Sequence, residues 1–253
     1  MKYGICPISI VPLRLEARDQ SEMISQVLYG EVFKIIEYRK KWSKIRLHND
    51  QYEGWLDNKQ LLEISSEEYH ELADGLDIAF AKEPLSIVTH KDSTLSTLVL
   101  GSQVSSASFL GDKFQSDTVR EQAQASNKEQ IIDHALLMLN APYLWGGRSC
   151  LGIDCSGFTQ LMYRLNGYRL SRDASQQATH GQVLSFIEES DPGDLAFFDN
   201  TEGAITHVGI IMKDNHIIHA HGKVRIDRLD QSGIFNLDSG SHTHKLRMIK
   251  KIL

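Results

Sequence analysis

Ile153-Asp154-Cys155-Ser156-Gly157-Phe158 opens an apolar run at helical spacing, Phe158, Leu161, Met162 and Leu165, which Gly167 brings to a stop. The spacing predicts a buried helix with Cys155 on its first turn. A helix N-terminus carries partial positive charge and unpaired N–H groups, so a thiol held there is biased toward thiolate, the form that attacks carbonyls. Cys155 therefore reads as a nucleophile. Gly146, Gly147 and Gly152 just upstream and Gly157 just after it permit close backbone approach by a substrate. A buried structural cysteine is the plain alternative, and the residues downstream weigh against it.

Those residues are Thr206-His207-Val208-Gly209-Ile210 and Ile217-Ile218-His219-Ala220, two apolar strand-like segments that each carry a histidine. Cysteine, then histidine, then a second polar group is the chain order of a papain-like site. His207 reads as the general base that takes the thiol proton and returns it to a leaving amine. A turn near Lys213-Asp214-Asn215 folds the next strand back antiparallel, with His219 and His221 within a residue or two of His207. Either could orient the imidazole, and register alone does not choose between them. The run His216 to His221 also invites a zinc reading, but His219 and His221 share one strand face while His216 lies on the other, and the run holds no carboxylate. No metal and no cofactor is expected.

The chain has 253 residues, 27 Lys and Arg against 33 Asp and Glu, a net charge of −6, and 41% hydrophobic residues. That composition suits packed globular domains, and with no dominant basic block it argues against a nucleic-acid partner. No apolar stretch approaches the ~18 residues of a membrane-spanning helix, so no membrane partner is expected. Cys6, Cys150 and Cys155 are too few, and odd in number, for a disulfide framework. The first residues lack the apolar core of a secretion signal, so a cytoplasmic location is expected, with a periplasmic or extracellular one if a leader has been removed.

From about Tyr3 to Ile64 the pattern is short and β-like, with Val27-Leu28-Tyr29, Val32 to Ile36, Trp42 to Leu47 and Gly54-Trp55-Leu56 as strands. This predicts a small barrel of about five strands over residues 1–66. Residues 67–120 repeat the style more weakly, at Leu85 to Val88, Thr97 to Leu100 and Phe109-Leu110-Gly111, and read as a second, degenerate barrel. The catalytic domain spans 121–253. Its opening helix is signalled by a capping box, Ser126 with Glu129, and by the face Ile131, Ile132, Ala135, Leu136 and Leu139 running to Asn140. Strands follow at Leu195 to Phe198, Ile205 to Met212, His216 to His219 and Leu246 to Ile249, so helices come first and an antiparallel sheet second, an α+β domain.

The ordered motifs Tyr143-Leu144-Trp145-Gly146-Gly147-Arg148, Asp154-Cys155-Ser156-Gly157, Arg172-Asp173, Gly181, Pro192-Gly193-Asp194-Leu195, His207-Val208-Gly209-Ile210 and Ile218-His219-Ala220 resemble the NlpC-type cell-wall cysteine peptidases over residues 126–253. The resemblance implies the triad Cys155, His207 and His219, and leaves His221 without a role. Ser21-Glu22-Met23, Gln26, Gly30-Glu31, Trp42 and Tyr52-Glu53-Gly54-Trp55 resemble the bacterial SH3-like domain of one branch, the γ-D-glutamyl-L-diamino acid endopeptidases of cell-wall recycling. That branch implies a free L-Ala amine bound by Tyr52, Asp154, Ser156 and Asp173, with Glu22 as a further match. Relatives carry a hydroxyl after that aspartate where this chain has Ala174, so one amine contact is missing.

The expected reaction is attack of Cys155 on the γ-D-Glu–diamino acid bond of L-Ala-γ-D-Glu-diamino acid, by a monomer, with release of L-Ala-γ-D-Glu. The Cys155 N–H and a second, unidentified donor would hold the oxyanion. The primed side shows no motif that separates diaminopimelate from lysine. The rival readings are an amidase or acyltransferase with the same triad, and a peptidoglycan-binding module with an inert cysteine domain.

Overall fold

A computed structural model describes residues 2–75, 78–120 and 128–253. The chain divides into two compact units, Met1–Glu121 with Trp145–Cys150, and Gln122–Leu144 with Leu151–Leu253. No described helix is long and apolar enough to cross a membrane.

In the first unit, β1 (Lys2–Ile5), β2 (Ile10–Arg14), β3 (Met23–Leu28), β4 (Val32–Tyr38), β5 (Trp42–Leu47), β6 (Glu53–Asp57) and β7 (Leu62–Ile64) form one antiparallel sheet in the order β3-β2-β6-β5-β4-β1-β7. Seven strands stand where about five were expected. Alternation turns Val11, Leu13, Phe33, Ile35, Ile45 and Leu47 inward, and Cys6, Val27 and Leu56 complete that core. Helix α1 (Ser66–Asp74) starts on a capping box in which the Glu68 N–H donates to Ser65 Oγ at 3.1 Å and the Ser65 N–H to Glu68 Oε2 at 2.7 Å. It packs Tyr69 and Ala73 back against Ile5 and Val32.

Beyond α1, β8 (Ala79–Ala81) pairs with β12 (Thr118–Arg120), and β9 (Leu85–Thr89) lies between β10 (Leu95–Val99) and β11 (Lys113–Phe114). Phe109 to Gly111, expected as strand, is turn, and β11 takes its place. Tyr29 of the first sheet packs with Val88 and Leu98 and donates to Asp112 Oδ2 at 2.6 Å, so both β regions share one unit. The segment Trp145–Cys150, which contains β13 (Arg148–Ser149), belongs to this unit as well. Arg148 is buried and grips Glu31 through two parallel bonds of 3.0 Å, and its N–H donates to Gln26 Oε1 at 2.7 Å. The paired, bidentate geometry is what makes a buried charge tolerable there.

The second unit opens with α2 (Lys128–Leu136), which buries Ile131 and Ala135. The expected cap residue Ser126 lies outside the described residues. The helix does not reach Asn140. After Leu136 the chain tightens into i→i+3 turns, Asn140 takes a left-handed φ of 68°, and its N–H joins the Val224 carbonyl at 2.9 Å. Leu136 and Leu139, expected on the buried face, are exposed, and Met138 takes the inward position. β14 (Gly152–Ile153) leads into α3 (Cys155–Leu165), a helix buried on every side, and α4 (Ala174–Gln177) follows.

The remaining strands are β15 (Gln182–Leu184), β16 (Leu195–Asp199), β17 (Ile205–Met212), β18 (His216–His221), β19 (Lys223–Asp230), β20 (Gly233–Asn236) and β21 (Ser241–Lys251). They run antiparallel in the order β15-β21-β16-β17-β18-β19-β20, and β20 also pairs with β21, so β16 to β21 close into a six-stranded barrel. Ala196, Phe198, Ile211, Ile217, Leu229, Ile234 and Ile249 share its core.

Candidate active site

Asp154 ends β14's extended chain and N-caps α3, its Oδ1 accepting the Gly157 N–H at 2.7 Å. The cap seats Cys155 at the first helical position, as its sequence environment predicts. The sulfur lies against β17, donating to the Thr206 carbonyl at 3.9 Å, with the Val208 N–H turned toward it. Those two residues flank His207. Cys155 and His207 are thus drawn together by one helix end and one strand.

Burial opposes the thiolate that the helix terminus is expected to favour. Cys155 is 5% exposed. Burial, reinforced by the Asp154 carboxylate, pushes its pKa up to about 12 against the opposing pull of Arg172 and the Val208 and Ser156 N–H groups. Desolvation of a buried anion outweighs the helix terminus. His207 is driven the same way, toward neutrality, by burial first and then by His219, His244 and His221.

The β17–β18 register sets Gly209 opposite His219. This leaves His219 two residues along the same face from His207, and the absent Cβ at Gly209 opens the gap through which the rings meet. His207 Nε2 and His219 Nδ1 are 2.8 Å apart, the rings edge to face. His219, and not His221, is the bonded partner. His221 is exposed and its ring centroid is 6.5 Å from that of His207.

Behind His219 stands Asp227 on β19, a residue the sequence reading did not find. Its Oδ2 is 3.0 Å from His219 Nε2, and Arg225 grips the carboxylate through Nε at 2.6 Å and Nη2 at 2.9 Å. Burial would raise its pKa, but the bonds from His219, Arg225 and the Leu237 N–H prevail and hold it well below the usual carboxylate range. The available signal was hairpin arithmetic. Gly222, at φ 70°, turns β18 into β19 and pairs His219 with Arg225, so the like-facing Asp227 is diagonal to His219.

Three further neighbours carried no role in the sequence reading. His244 on β21 stacks on His207 at 4.1 Å between centroids, and burial lowers its pKa to about 4. Tyr143 is raised to about 12 by burial and by the nearby Cys155 and Asp154, so its hydroxyl stays a donor. Arg172 is buried and binds Asp154 through Nη2 at 2.6 Å and Nη1 at 3.0 Å, with Nη1 also 3.0 Å from Ser156 Oγ. The expected ligands Asp154 and Ser156 are therefore both turned to Arg172.

Asp173 N-caps α4 and is half-buried, its N–H 3.4 Å from Gln176 Oε1. Gln177 on that helix donates to the Ser156 carbonyl at 2.9 Å, which ties α4 to the nucleophile's turn. Tyr52 and Glu22 belong to the first unit. The Tyr52 ring packs on the barrel core, and Glu22 accepts from Trp145 Nε1 at 2.6 Å. All three cysteines are free thiols. Among the described residues, no group of three or more His, Cys, Asp or Glu is placed to hold a metal ion.

Comparison with known proteins adds the lineage. Residues 140–237 match the NlpC/P60 family and residues 13–61 the bacterial dipeptidyl-peptidase Sh3 domain. The chain is 30% identical over 212 residues, 78% of its length and 71% of the relative's, to a gamma-D-glutamyl-L-lysine dipeptidyl-peptidase of Bacillus subtilis. It is 25% identical over 265 residues, 91% and 78% of the two chains, to a protein of that same name from Bacillus cereus. A crystal structure of an NlpC/P60 family protein from Bacillus cereus superposes with a TM-score of 0.80 at 19% identity, covering 99% of each chain, and shares the fold.

Proposed function

The chain belongs to the NlpC/P60 family of cysteine peptidases acting on peptidoglycan, and from that premise we propose that it cleaves the γ-D-glutamyl–L-diamino acid bond of muropeptides with a free N-terminal L-Ala. The observation that carries the reading is the buried line from Cys155, against the backbone flanking His207, through the 2.8 Å bond from His207 to His219. In this reading Cys155 is the nucleophile, His207 the general base and acid, and His219 its orienting partner.

His207 Nε2 is engaged by His219, so Nδ1 is the nitrogen that exchanges a proton with the thiol. As Sγ bonds to the γ-carbonyl carbon, its proton passes to Nδ1. Collapse of the tetrahedral adduct breaks the C–N bond, and Nδ1 returns the proton to the departing α-amine. Water then attacks the thioester carbon, giving a proton to His207 Nδ1; the C–S bond breaks, the proton returns to Sγ, and L-Ala-γ-D-Glu leaves with a free γ-carboxylate. A resting thiol and imidazole, both neutral, fit a proton transfer that accompanies attack. The Asp154 side chain occupies the Gly157 N–H and the Ser156 N–H faces the sulfur, which leaves the Cys155 N–H for the oxyanion. The Tyr143 hydroxyl is the proposed second donor.

Asp173, beside the nucleophile's turn, is the proposed carboxylate for the L-Ala ammonium, with Asp154 and Ser156 behind it. Tyr52 and Glu22 are proposed as further amine ligands on the resemblance of the first barrel alone. Such charge-assisted contacts contribute about 1.5–3 kcal/mol each. Acylating the amine removes its charge, so kcat/KM for an N-acetylated peptide should fall by on the order of a hundredfold, each 1.4 kcal/mol being tenfold. A role in recycling already trimmed peptides inside the cell follows from that preference.

The test is mass spectrometry of products from L-Ala-γ-D-Glu-L-Lys and its meso-diaminopimelate counterpart, free and N-acetylated, on wild type and Asp173→Asn. Release of L-Ala-γ-D-Glu from the free peptides is expected. Equal rates on free and acetylated peptides refute the amine preference, and cleavage at another bond refutes the substrate assignment.

A further inference from the structure

We infer that Asp227 is a positioning residue that dictates which nitrogen of His207 is bare, an inference that rests on the triad proposed above. Asp227 is fully buried, and its acceptor positions are met by groups placed to donate. Oδ2 faces Arg225 Nε at 2.6 Å and His219 Nε2 at 3.0 Å, while Oδ1 faces Arg225 Nη2 at 2.9 Å and the Leu237 N–H at 3.0 Å. A guanidinium and a backbone N–H only donate. Three of these contacts come from groups that can only donate, and together they hold Asp227 well below the usual carboxylate range, so the group is a carboxylate and His219 Nε2, its remaining partner, carries the hydrogen.

His219 is itself fully buried and its pKa is lowered by burial, against the pull of Asp227. A neutral ring with hydrogen on Nε2 has a bare Nδ1. That bare nitrogen can only accept, so His207 Nε2 must donate across the 2.8 Å bond. His207 is neutral too, and its Nδ1 is then bare, the state a base for Cys155 requires. The opposite parity, with hydrogen on His207 Nδ1, leaves the thiol without a base.

In the attack the thiol proton ends on His207 Nδ1, His207 keeps its Nε2 hydrogen, and no proton moves on to His219 or Asp227. The other titratable groups facing these rings are His221 on β18, Arg225 on β19 and His244 on β21, with Cys155 at the head of α3 held against the backbone beside His207. Each ring touches His207 or His219 by its face or edge, whereas Asp227 alone among the described carboxylates bonds a relay nitrogen. Arg225 is in turn fixed by Asp238 at 2.7 Å.

The experiment uses the full chain. Long-range 1H–15N correlation on 15N-histidine-labelled wild type at pH 7.5 should show hydrogen on Nε2 and a bare Nδ1 for both His207 and His219. Asp227→Asn should mix the tautomers and lower kcat about a hundredfold with KM changed less than threefold. This is smaller than the roughly ten-thousandfold effect of a carboxylate that touches the base directly, because one imidazole intervenes. Hydrogen on His207 Nδ1 in wild type, or Asp227→Asn with kcat within threefold and unmixed tautomers, overturns the inference. Should Asp227→Asn fail to fold, the wild-type spectrum decides alone. The triad reading fails separately, if hydrolysis survives Cys155→Ala.

Discussion

Gly209→Ala is the sharpest test of how the barrel builds the histidine pair. Gly209 lies opposite His219, and a methyl group placed there would stand 2.9 Å from His219 Cβ and 2.7 Å from Ile217 Cδ1. The isoleucine tip can rotate away, but His219 Cβ is carried by a paired strand. Reaching an ordinary contact of 3.4 Å requires His219 to retreat by about half an ångström. That stretches its 2.8 Å bond to His207 to as much as about 3.3 Å, the weak end of the hydrogen-bond range. A 1 Å misplacement in an active site costs about a hundredfold, so a retreat of half that should lower kcat/KM by about 10- to 30-fold, or about 1.4–2 kcal/mol. Overpacking should also destabilise the fold by about 1–3 kcal/mol. The assay is the initial rate of diamino acid release from L-Ala-γ-D-Glu-diamino acid, corrected for folded enzyme by near-UV circular dichroism. Gly203→Ala is the control. Its methyl would meet nothing within 4 Å, yet at φ 81° it strains the backbone, so it should lower stability and spare turnover. If Gly209→Ala retains kcat/KM within twofold, the account of Gly209 as the gap between the rings is wrong.

Cys155→Ala should abolish hydrolysis with the fold retained, His207→Ala should be nearly as damaging, and His219→Gln should cost about 10- to 100-fold in kcat, since orienting a base matters less than being one. Near-wild-type turnover by Cys155→Ala in a steady-state assay removes the central assignment. Tyr143→Phe, which takes away the proposed second oxyanion donor, should lower kcat by about a hundredfold to a thousandfold with little change in KM. Stability should plateau between about pH 6.5 and 9, as read from urea midpoints. Below 6.5 the unfolded chain binds protons that buried His207 and His219 refuse, at about 1.4 kcal/mol per pH unit for each until its folded pKa is reached, and His244 adds to this down to about 4. Asp227, depressed in the fold, adds a further loss as pH falls through the carboxylate range. Above 9 the unfolded thiol ionises while Cys155 resists to about 12, so stability falls again as pH rises. A midpoint unchanged from pH 7.5 to 5 contradicts this.

The helix over Cys155 to Leu165 was legible because its start and stop signals are local, an aspartate cap and a glycine turn around an apolar stripe. The strands that carry His207 and His219 were legible for a similar reason, since short β-branched runs bounded by the turn Lys213-Asp214-Asn215 have few other fates. The chemistry between them was less so. Whether His219 or His221 meets His207 depends on a register that β17 and β18 settle through Gly209, and Asp227 enters only when a third strand, β19, is added to the hairpin. The ionisation of Cys155 was misread because helix termini are visible in sequence and depth of burial is not. The end of α2 was misread because Leu136 to Leu139 keep helical spacing through a turn that is ended by the Asn140 bond to β19.

The two aspartates of the site do opposite things, and the arginines explain how both can stay charged in a buried place. Asp154 sits at the sulfur end, where its charge disfavours a thiolate, and Arg172 spans both its oxygens and partly cancels that field. Asp227 sits at the imidazole end, two rings from Nδ1 of His207, where Arg225 holds it ionised as an acceptor. Each carboxylate therefore brings its own counter-charge, and the line between them, thiol to imidazole to imidazole, can rest uncharged. A site so balanced holds no thiolate–imidazolium pair at rest, and it separates charge along that line only when a carbonyl carbon arrives to take the sulfur's electrons. The burial that raises the Cys155 pKa should also slow its reaction with adventitious electrophiles. Reactivity toward iodoacetamide should accordingly climb with pH well past 9, with no plateau at neutral pH.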